Sequence, residues 1–354
     1  MNKEKWNAIK VNVMVPVIII VLAFAFVSVL IIATGSNPIL AFRYLIQGAF
    51  GSSASLINTI NRSVPICFAA FAVAFSKKAG VFNIGIEGQL IIGAFGSTLA
   101  GLYLKGLPAA IHIPIALLAG MVSGALYAII PTVLHVKRGA NLLVTCIMMN
   151  NIATLLTTYL IVGPFLGENE MLSATDMVEK SAMLPYLITK PNRLSIGILI
   201  ALGTAVLLWF FFRKTVYGYE MKMCGSNREA ARYAGIKSKS YITFALLLSG
   251  AFGGLGGAVE ILGNYHRMYD GFSPGYGFDG IPIALLTGGN PFGMIIGSIL
   301  YGGLRVGSMD MQTKAGVSTD IISVIQGTLI LLIACEAVIH FKVSKASKKK
   351  EAKA

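Results

Sequence analysis

The chain has 354 residues, of which 55% are hydrophobic and 12% are charged, and it carries a formal net charge of +14. Soluble domains carry about 25% charged residues, so this composition argues against a soluble enzyme or binding module. The long apolar runs do not alternate at every second position, which excludes a transmembrane β-barrel. The basic residues gather between the runs, as in the cytoplasmic loops of membrane proteins, so we expect no nucleic acid partner.

Apolar runs of about 18 residues or more recur along the chain and predict an all-α integral membrane protein surrounded by lipid. We expect about ten crossings, several of them short or broken. Residues 14–34 form the first, which is too long for a signal-peptide core and is expected to be retained. An amphipathic helix at about 38–50 is expected at the membrane interface. The remaining crossings are predicted at residues 55–76, 84–104, 111–134, 141–163, 194–212, 242–262, 278–289, 292–309 and 320–340.

The distribution of Lys and Arg predicts the orientation of these crossings. With both termini in the cytoplasm, the inner segments carry 20 of the 29 Lys and Arg residues. The transmembrane domain is then residues 14–340, with a long outer loop at about 163–193 that either docks a partner or has no role of its own. The inner segments are residues 1–13, 77–83, 135–140, 213–241 and the Lys-rich tail at 341–354.

Small and helix-breaking residues point to close packing and to a polar path inside the membrane. Close helix contact is favoured by the glycines at positions 250, 253, 254 and 257. Segment 278–289, which contains Pro282, would cover only about 18 Å of a hydrocarbon core of about 30 Å. The second crossing also looks broken, near Pro65. Unwound backbone at this depth must line a cavity or be buried in protein, so these segments predict a translocation path.

Polar side chains within or beside the crossings are the candidates for lining that path. Carboxylates inside a membrane are costly and usually face a polar interior. For Glu87, the alternative is a structural hydrogen bond to backbone at the start of a helix. The candidates are Asn58, Asn61, Asn83, Glu87, Gln89, Glu260 and Asp279.

Nothing in the residue pattern predicts catalysis, a metal site or a bound cofactor. The cysteines and histidines are scattered, without metal-ligand spacing. The GxGxxG match at residues 275–280 lacks a preceding strand and a βαβ unit, and no GxxxxGK[ST] loop occurs. We therefore expect a chain that is not an enzyme and that holds no cofactor.

The charged segment GSNREAARYAGIKSKS, residues 225–240, interrupts the apolar pattern. Ser226 or Asn227 can cap a short helix there, and Gly235 can end it. A short polar helix between two crossings suits docking to a soluble partner. An ordinary cytoplasmic loop is the alternative.

The same segment resembles the coupling-loop signature of ABC importer permeases. Glu229-Ala230-Ala231, followed by Gly235, matches the pattern EAA-x-x-x-G. The LP-containing end of the fuller signature is absent, which argues against the maltose-type subfamily. With Asn227, these residues are the candidates for contact with an ATPase subunit.

Two further motifs indicate which family the chain resembles. GVFNIGIEGQLIIGA at 80–94 and GYGFDGIPIALLTGGNPFG at 275–293 resemble the permeases of the branched-chain amino acid and simple-sugar ABC family. Within it, they look most like the nucleoside branch, whose binding lipoproteins are of the basic membrane protein type. The resemblance covers about 15–340. Pro282 stands where alanine is more usual, and a kink there would alter the path locally.

The resemblance implies a multi-pass permease of the bacterial inner or plasma membrane that takes up nucleosides. Its expected partners are an ABC ATPase subunit that holds ATP and Mg, a second homologous permease in a heterodimer, and an extracellular binding lipoprotein. Uptake of simple sugars or branched-chain amino acids by the same family is one alternative. A stand-alone secondary transporter, which also has broken helices and buried carboxylates, is another.

Overall fold

A computed structural model describes residues 25–33, 35–168, 172–190, 192–317, 324, 327 and 328. The predicted N-terminal segment at 1–13, most of the first crossing, nearly all of the tenth crossing at 320–340, and the tail at 341–354 lie outside the described residues.

The described chain is mostly helical, as the sequence predicts. One short antiparallel hairpin, β1 (Tyr186–Ile188) with β2 (Leu194–Ser195), lies in the predicted outer loop and the residues after it. The helices are α1 (Ala25–Ala33), α2 (Pro38–Phe50), α3 (Ser53–Lys78), α4 (Ile86–Tyr103), α5 (Ala109–Arg138), α6 (Leu142–Val162), α7 (Gly197–Lys214), α8 (Val216–Ser226), α9 (Arg228–Tyr233), α10 (Ser238–Glu260), α11 (Tyr276–Leu286) and α12 (Pro291–Ala315).

Six of the described helices are long and apolar enough to cross a membrane, or seven if α1 and α2 together form one broken span. They are α3, α5, α6, α7, α10 with the turn that follows it, and α12. Helix α4 falls outside this set, and Glu87 and Gln89 in its first turns lower its hydropathy. Helix α11 has 11 residues and is too short to cross alone. The chain is therefore a multi-pass helical membrane protein.

Helix α3 corrects one expectation from the sequence. It runs for 26 residues without a break, with Pro65 inside it. Almost every residue from Ser63 to Ser76 is buried, so surrounding protein holds the helix together where the proline removes a backbone donor. The predicted break in the second crossing is wrong.

Contacts group the chain into two units, of which Leu56–Gly303 is the larger. Its centre is the packing of α10 against α4 and α5, where the backbones meet at glycines. A Cβ atom on Gly254 would lie 2.2 Å from the carbonyl oxygen of Gly120 in α5. A Cβ atom on Gly93 in α4 would lie 2.2 Å from the Cα of Gly254. The glycine pattern therefore produces the close helix contact that the sequence predicts.

The other unit comprises the described parts of residues 1–55 and 304–354. Its apolar core joins α1, α2 and the end of α12. The buried side chains of this core are Val27, Ile31, Ala41, Leu45, Met311 and Val317.

The connection between α10 and α11 has an irregular backbone. Helix α10 continues as a π-helical turn, Ile261–Tyr265, and His266 follows with a left-handed φ of 58°. The predicted outer loop packs on this connection through backbone hydrogen bonds. Thr175 N donates to Met268 O at 2.9 Å, and Val178 N donates to His266 O at 2.8 Å. The irregular connection is thus bonded to the described part of this loop, through Thr175 and Val178.

Candidate functional site

A buried polar cluster surrounds Glu260, the last residue of α10. The Glu260 side chain has no exposed surface, and Arg62 Nη1 of α3 lies 3.3 Å from its Oε1. Asn264 Nδ2 donates to Oε2 at 2.6 Å. The same Arg62 nitrogen donates to the hydroxyl oxygens of Tyr265, at 2.5 Å, and Tyr276, at 2.6 Å. The cluster therefore joins α3, the π-helical turn and α11.

Arg62 is the partly exposed member of this ion pair. Its side chain is 31% exposed, whereas Glu260 is fully buried. A buried carboxylate needs both a counter-charge and hydrogen-bond donors, and the cluster supplies both. Chemically, the arrangement can present the partly accessible cationic side chain of Arg62 to a polar solute, with the Tyr276 phenol buried behind it.

A second carboxylate, Glu87 in the first turn of α4, caps the start of the short helix α11. Its Oε1 accepts from Ser273 Oγ at 2.6 Å, and its Oε2 accepts from Gly277 N at 2.6 Å. A Cβ atom on Gly277 would lie 2.5 Å from the Glu87 backbone, so only glycine allows this approach. A carboxylate at a helix N-terminus is stabilised by the unpaired N–H groups and the helix dipole. Glu87 therefore forms a hydrogen bond to backbone at the start of a helix. That helix is α11 and not α4, to which Glu87 itself belongs.

Asn83 and Gln89 lie together in a network that is wholly internal. Asn83 Nδ2 donates to Gln89 Oε1 and to Ser249 Oγ of α10, both at 2.9 Å. Asn83 Oδ1 accepts from Gly85 N at 2.9 Å. Asn150 of α6, which the sequence did not single out, adds two bonds, from Gly88 N at 2.9 Å and to the Ile84 carbonyl at 3.0 Å. The network fixes the loop between α3 and α4.

Of the remaining pathway candidates, Asn58 and Asn61 lie against the β1–β2 hairpin, and Asp279 lies in α11. Asn61 bonds the β1–β2 hairpin, through Nδ2 to the Arg193 carbonyl at 2.7 Å and from Ser195 N at 3.2 Å. Asn58 accepts from Asn192 Nδ2 at 3.0 Å. The structure therefore brings the seven candidates into separate groups rather than into one site.

Asp279 is buried in α11, and Tyr301 Oη donates to its Oδ1 at 3.1 Å. Sequence reasoning missed Tyr265, Tyr276 and Tyr301, which bond the candidate carboxylates or Arg62. Tyrosines in apolar runs look like ordinary core residues, and a phenol hydroxyl near a distant carboxylate leaves no local pattern.

The charged segment folds as predicted into a short capped helix, α9. Asn227 Oδ1 accepts from Glu229 N at 3.0 Å and from Ala230 N at 3.1 Å. Gly235 ends the helix with φ of 79°, and Ile236 N donates to Ala231 O at 2.9 Å. Both caps are local, so the helix keeps its form without extensive packing.

Helix α9 turns most of its surface away from the rest of the chain. Of its six residues, only Ala231 is buried, and Tyr233 is 91% exposed. The preceding helix α8, within the predicted inner segment at 213–241, was not anticipated. An exposed tyrosine on a rigid capped helix is a surface suited to contact with another protein.

The base of α9 rests on the loop between α3 and α4. Arg228 Nη2 donates to the Gly80 carbonyl at 3.1 Å. Close to it, a Cβ atom on Gly225 would lie only 2.3 Å from the Lys78 carbonyl oxygen. The same loop contains Asn83 and leads to Glu87. A continuous set of contacts therefore runs from α9 to the start of α11.

Multiple membrane-spanning helices, a buried polar interior and a short exposed helix between two of the spans fit the class of membrane transport permeases. The profile of the family described as branched-chain amino acid transport system, permease component, matches residues 55–334, and the chain belongs to this family.

Three relatives illustrate the similarity. The chain is 35% identical to the guanosine ABC transporter permease protein NupP of Bacillus subtilis (strain 168), over 91% of this chain and 93% of that protein. It is 34% identical to the glucose ABC transporter permease protein TsgB13 of Haloferax volcanii, over 90% and 86%. It is 32% identical to the nucleoside ABC transporter permease protein NupB of Lactococcus lactis subsp. cremoris, over 97% and 98%. The resemblance drawn from the sequence motifs is confirmed.

Proposed function

We propose that this chain is the permease subunit of an ABC importer that takes up nucleosides across a bacterial cytoplasmic membrane. Two of the relatives described above are named for guanosine or nucleoside transport, which supports this substrate class. A glucose permease at 34% identity keeps simple sugars as the alternative, and the family description adds branched-chain amino acids. The proposal includes ten crossings with both termini in the cytoplasm.

The exposure of α9 is the observation that supports coupling to an ATPase. A helix capped at both ends, with Tyr233 exposed and Arg228 bonded to the α3–α4 loop, offers a rigid contact for an ATPase on another polypeptide. The ATPase would hold ATP and Mg, and its movement would act on α9. A partner shifts a conformational equilibrium only by binding the two states differently, and α9 supplies the contact for this.

The polar interior would form the path itself, together with a second permease. We assign Arg62, with Glu260 behind it, to the path because the guanidinium is partly exposed. Asn83 and Gln89 would act by positioning the α3–α4 loop, since their partners are internal. Asn58 and Asn61 would anchor the outer hairpin, where an extracellular binding lipoprotein delivers substrate.

Reconstitution with the candidate partners tests the proposal. The chain, a second permease, the ATPase and the binding lipoprotein are placed in proteoliposomes, and uptake of labelled guanosine, glucose and leucine is measured with and without ATP. We expect ATP-dependent uptake of guanosine above the other two. Uptake of glucose or leucine alone would contradict the substrate, and uptake by the lone chain on an ion gradient would contradict the class.

Variants of α9 test the coupling assignment. Glu229→Lys reverses the charge on an exposed face, and Gly235→Asp places a side chain at a left-handed φ of 79°. We expect both to retain membrane insertion and to lose ATP-dependent uptake. Lys137→Glu, at the exposed end of α5, is the control for charge reversal and should transport normally. Full uptake in both α9 variants would show the coupling assignment to be wrong.

A further inference from the structure

Two adjoining cavities of about 210 and 240 Å³ lie where α3 ends beside α7, α8 and the turn between α11 and α12. They share Lys78, Lys222, Gly288 and Gly289 in their walls. Lys77 lines one cavity and Arg213 the other. None of the described residues that line them is acidic. We call this pair the basic cavity.

The four cations of the basic cavity have no counter-charge in the described part of the chain. None of them forms an ion pair there. Lys78 Nζ donates to the Gly288 carbonyl at 3.4 Å and lies within electrostatic range of Lys77 and Lys222. Lys222 Nζ donates to the Phe212 carbonyl at 2.5 Å. Like charges held this close repel each other, so an anion in the cavity would stabilise the arrangement.

The surroundings of the basic cavity match the headgroup level of a bilayer. Helices α3 and α7, both long and apolar enough to cross a membrane, end here in Lys78 and Lys214. Arg213 lies over the ring of Trp209, 5.4 Å from its centroid. On α7, Leu207 is exposed along the face that lipid chains would cover. Aromatic and basic residues at helix ends are typical of the interface, where basic pockets bind anionic headgroups.

We propose that the basic cavity binds the phosphate group of an anionic phospholipid. Inorganic phosphate shares this chemistry and would use the same cations. The inference goes beyond the proposed transport function and does not depend on it. The cavity also touches Gly225 and the Gly288–Gly289 turn, so a bound headgroup would connect the segment leading to α9 with the end of α11.

The chain carries its own reporter of occupancy, because Trp209 lines the basic cavity and the sequence has two tryptophans. Trp6→Phe leaves Trp209 as the single tryptophan, which is excited selectively over the tyrosines at the red edge of the absorption band. The full chain is placed in nanodiscs of phosphatidylcholine containing a small fraction of lipid brominated close to the glycerol. We expect brominated phosphatidylglycerol to quench Trp209 more than brominated phosphatidylcholine at the same fraction. Equal quenching by the two lipids would overturn the proposal without any cavity variant.

A matched pair of variants separates a defined site from general surface charge. Lys78→Gln with Lys222→Gln removes two cavity cations, and Lys137→Gln with Arg138→Gln removes two charges from the last turn of α5. We expect the cavity pair to lower the affinity for phosphatidylglycerol, relative to phosphatidylcholine, by about tenfold, because each cation contributes a few-fold. The control pair should leave this relative affinity unchanged. An equal loss in both pairs would overturn the proposal.

Competition identifies the source of the phosphate. Inorganic phosphate is added to the nanodiscs and compared with sodium chloride at the same ionic strength, because salt alone weakens surface attraction. Relief of quenching by phosphate alone supports a site that also accepts the free anion. A preference for phosphatidylglycerol that neither salt relieves supports a lipid-specific site. Equal relief by both salts indicates unspecific charge and contradicts the proposal.

Discussion

Helices α10 and α9 are separated by only a few residues, yet a polar side chain is buried and hydrogen-bonded in one and polar side chains are exposed in the other. In α10, the Glu260 carboxylate is buried and accepts hydrogen bonds from Arg62 and Asn264. In α9, Tyr233 and Glu229 extend from an exposed helix that buries only Ala231. The polar groups of the first helix are satisfied by packing within this chain, whereas those of the second stay exposed for the contact with another polypeptide that we propose. Changes in α10 should therefore affect folding, and changes in α9 should affect function alone.

The largest effect is expected from Gly254→Val. The new side chain would collide with backbone of α5, since a Cβ there lies 2.2 Å from Gly120 O. Backbone cannot move aside as a flexible side chain can, so we expect a loss above about 3 kcal/mol and little folded protein. Gly203→Val in α7, where a Cβ meets no atom within 4 Å, is the matched control and should fold normally. Size-exclusion chromatography of protein extracted from membranes in detergent measures the yield of folded protein for each variant. Equal yields for the two variants would contradict the close packing.

Arg62→Met is expected to have the next largest effect. It leaves the Glu260 carboxylate buried without its cation, which costs about 3–5 kcal/mol, at the lower end here because Arg62 is partly exposed. Adding Glu260→Met should recover much of the loss, because both charges are then gone. Thermal unfolding in detergent measures the cycle. A loss in the double variant equal to the sum of the losses in Arg62→Met and Glu260→Met would show that the pair is not coupled.

Sequence reasoning succeeded where the determinants are local. Helix α2 occupies residues 38–50 as predicted, because Asn37 caps its start and Pro38 suits the first turn. The caps of α9 at Asn227 and Gly235 are local for the same reason. The continuity of α3 through Pro65 was missed, because it depends on burial by surrounding protein.

The arrangement of the polar interior could not be read from the chain. Arg62 and Glu260 are 198 positions apart, and Glu87 lies 190 positions before Gly277. A residue pattern indicates that a buried carboxylate needs a partner, but only the packed helices identify it. The π-helical turn after Glu260 was also missed, because its register depends on the same contacts.

Glu87→Gln sharpens the comparison by testing a polar contact between two helices. The amide loses the charge that strengthens the bonds to Ser273 and to the Gly277 backbone. We expect a loss of about 1.5–3 kcal/mol, the range for hydrogen bonds to charged groups. Glu168→Gln, on an exposed part of the predicted outer loop, should leave stability unchanged. Equal melting temperatures for the wild type and Glu87→Gln would contradict the capping role.

We expect a smaller, pH-dependent loss of stability from the titration of His266, which follows the π-helical turn after α10. Burial lowers the pKa of His266, whose Nε2 lies 2.5 Å from Tyr186 Oη. As the pH falls below about 6.5, the unfolded chain binds a proton that the folded chain resists, so stability falls by at most about 1.4 kcal/mol per pH unit. His266→Asn, which tolerates the left-handed backbone, should flatten this dependence in melting curves. An unchanged slope would assign the acid sensitivity elsewhere.

Tyr233→Ala is expected to have the smallest effect on stability and a large effect on transport. The side chain is 91% exposed, so the change in unfolding free energy should stay within about 0.5 kcal/mol. Loss of an aromatic contact with a partner should lower ATP-driven uptake by about tenfold or more. Tyr103→Ala, at the exposed end of α4, is the control and should transport normally. Unchanged uptake in Tyr233→Ala would contradict the proposed contact between α9 and the ATPase.

Photo-crosslinking at position 233 tests the docking of α9 most directly. A photoreactive amino acid replaces Tyr233 in one sample and Tyr103 in another, and each chain is expressed in membranes with the ATPase. We predict an adduct of the combined mass at position 233 and none at 103. An adduct at 103, no adduct at 233, or labelling of 233 by a reagent confined to the outer side would contradict it.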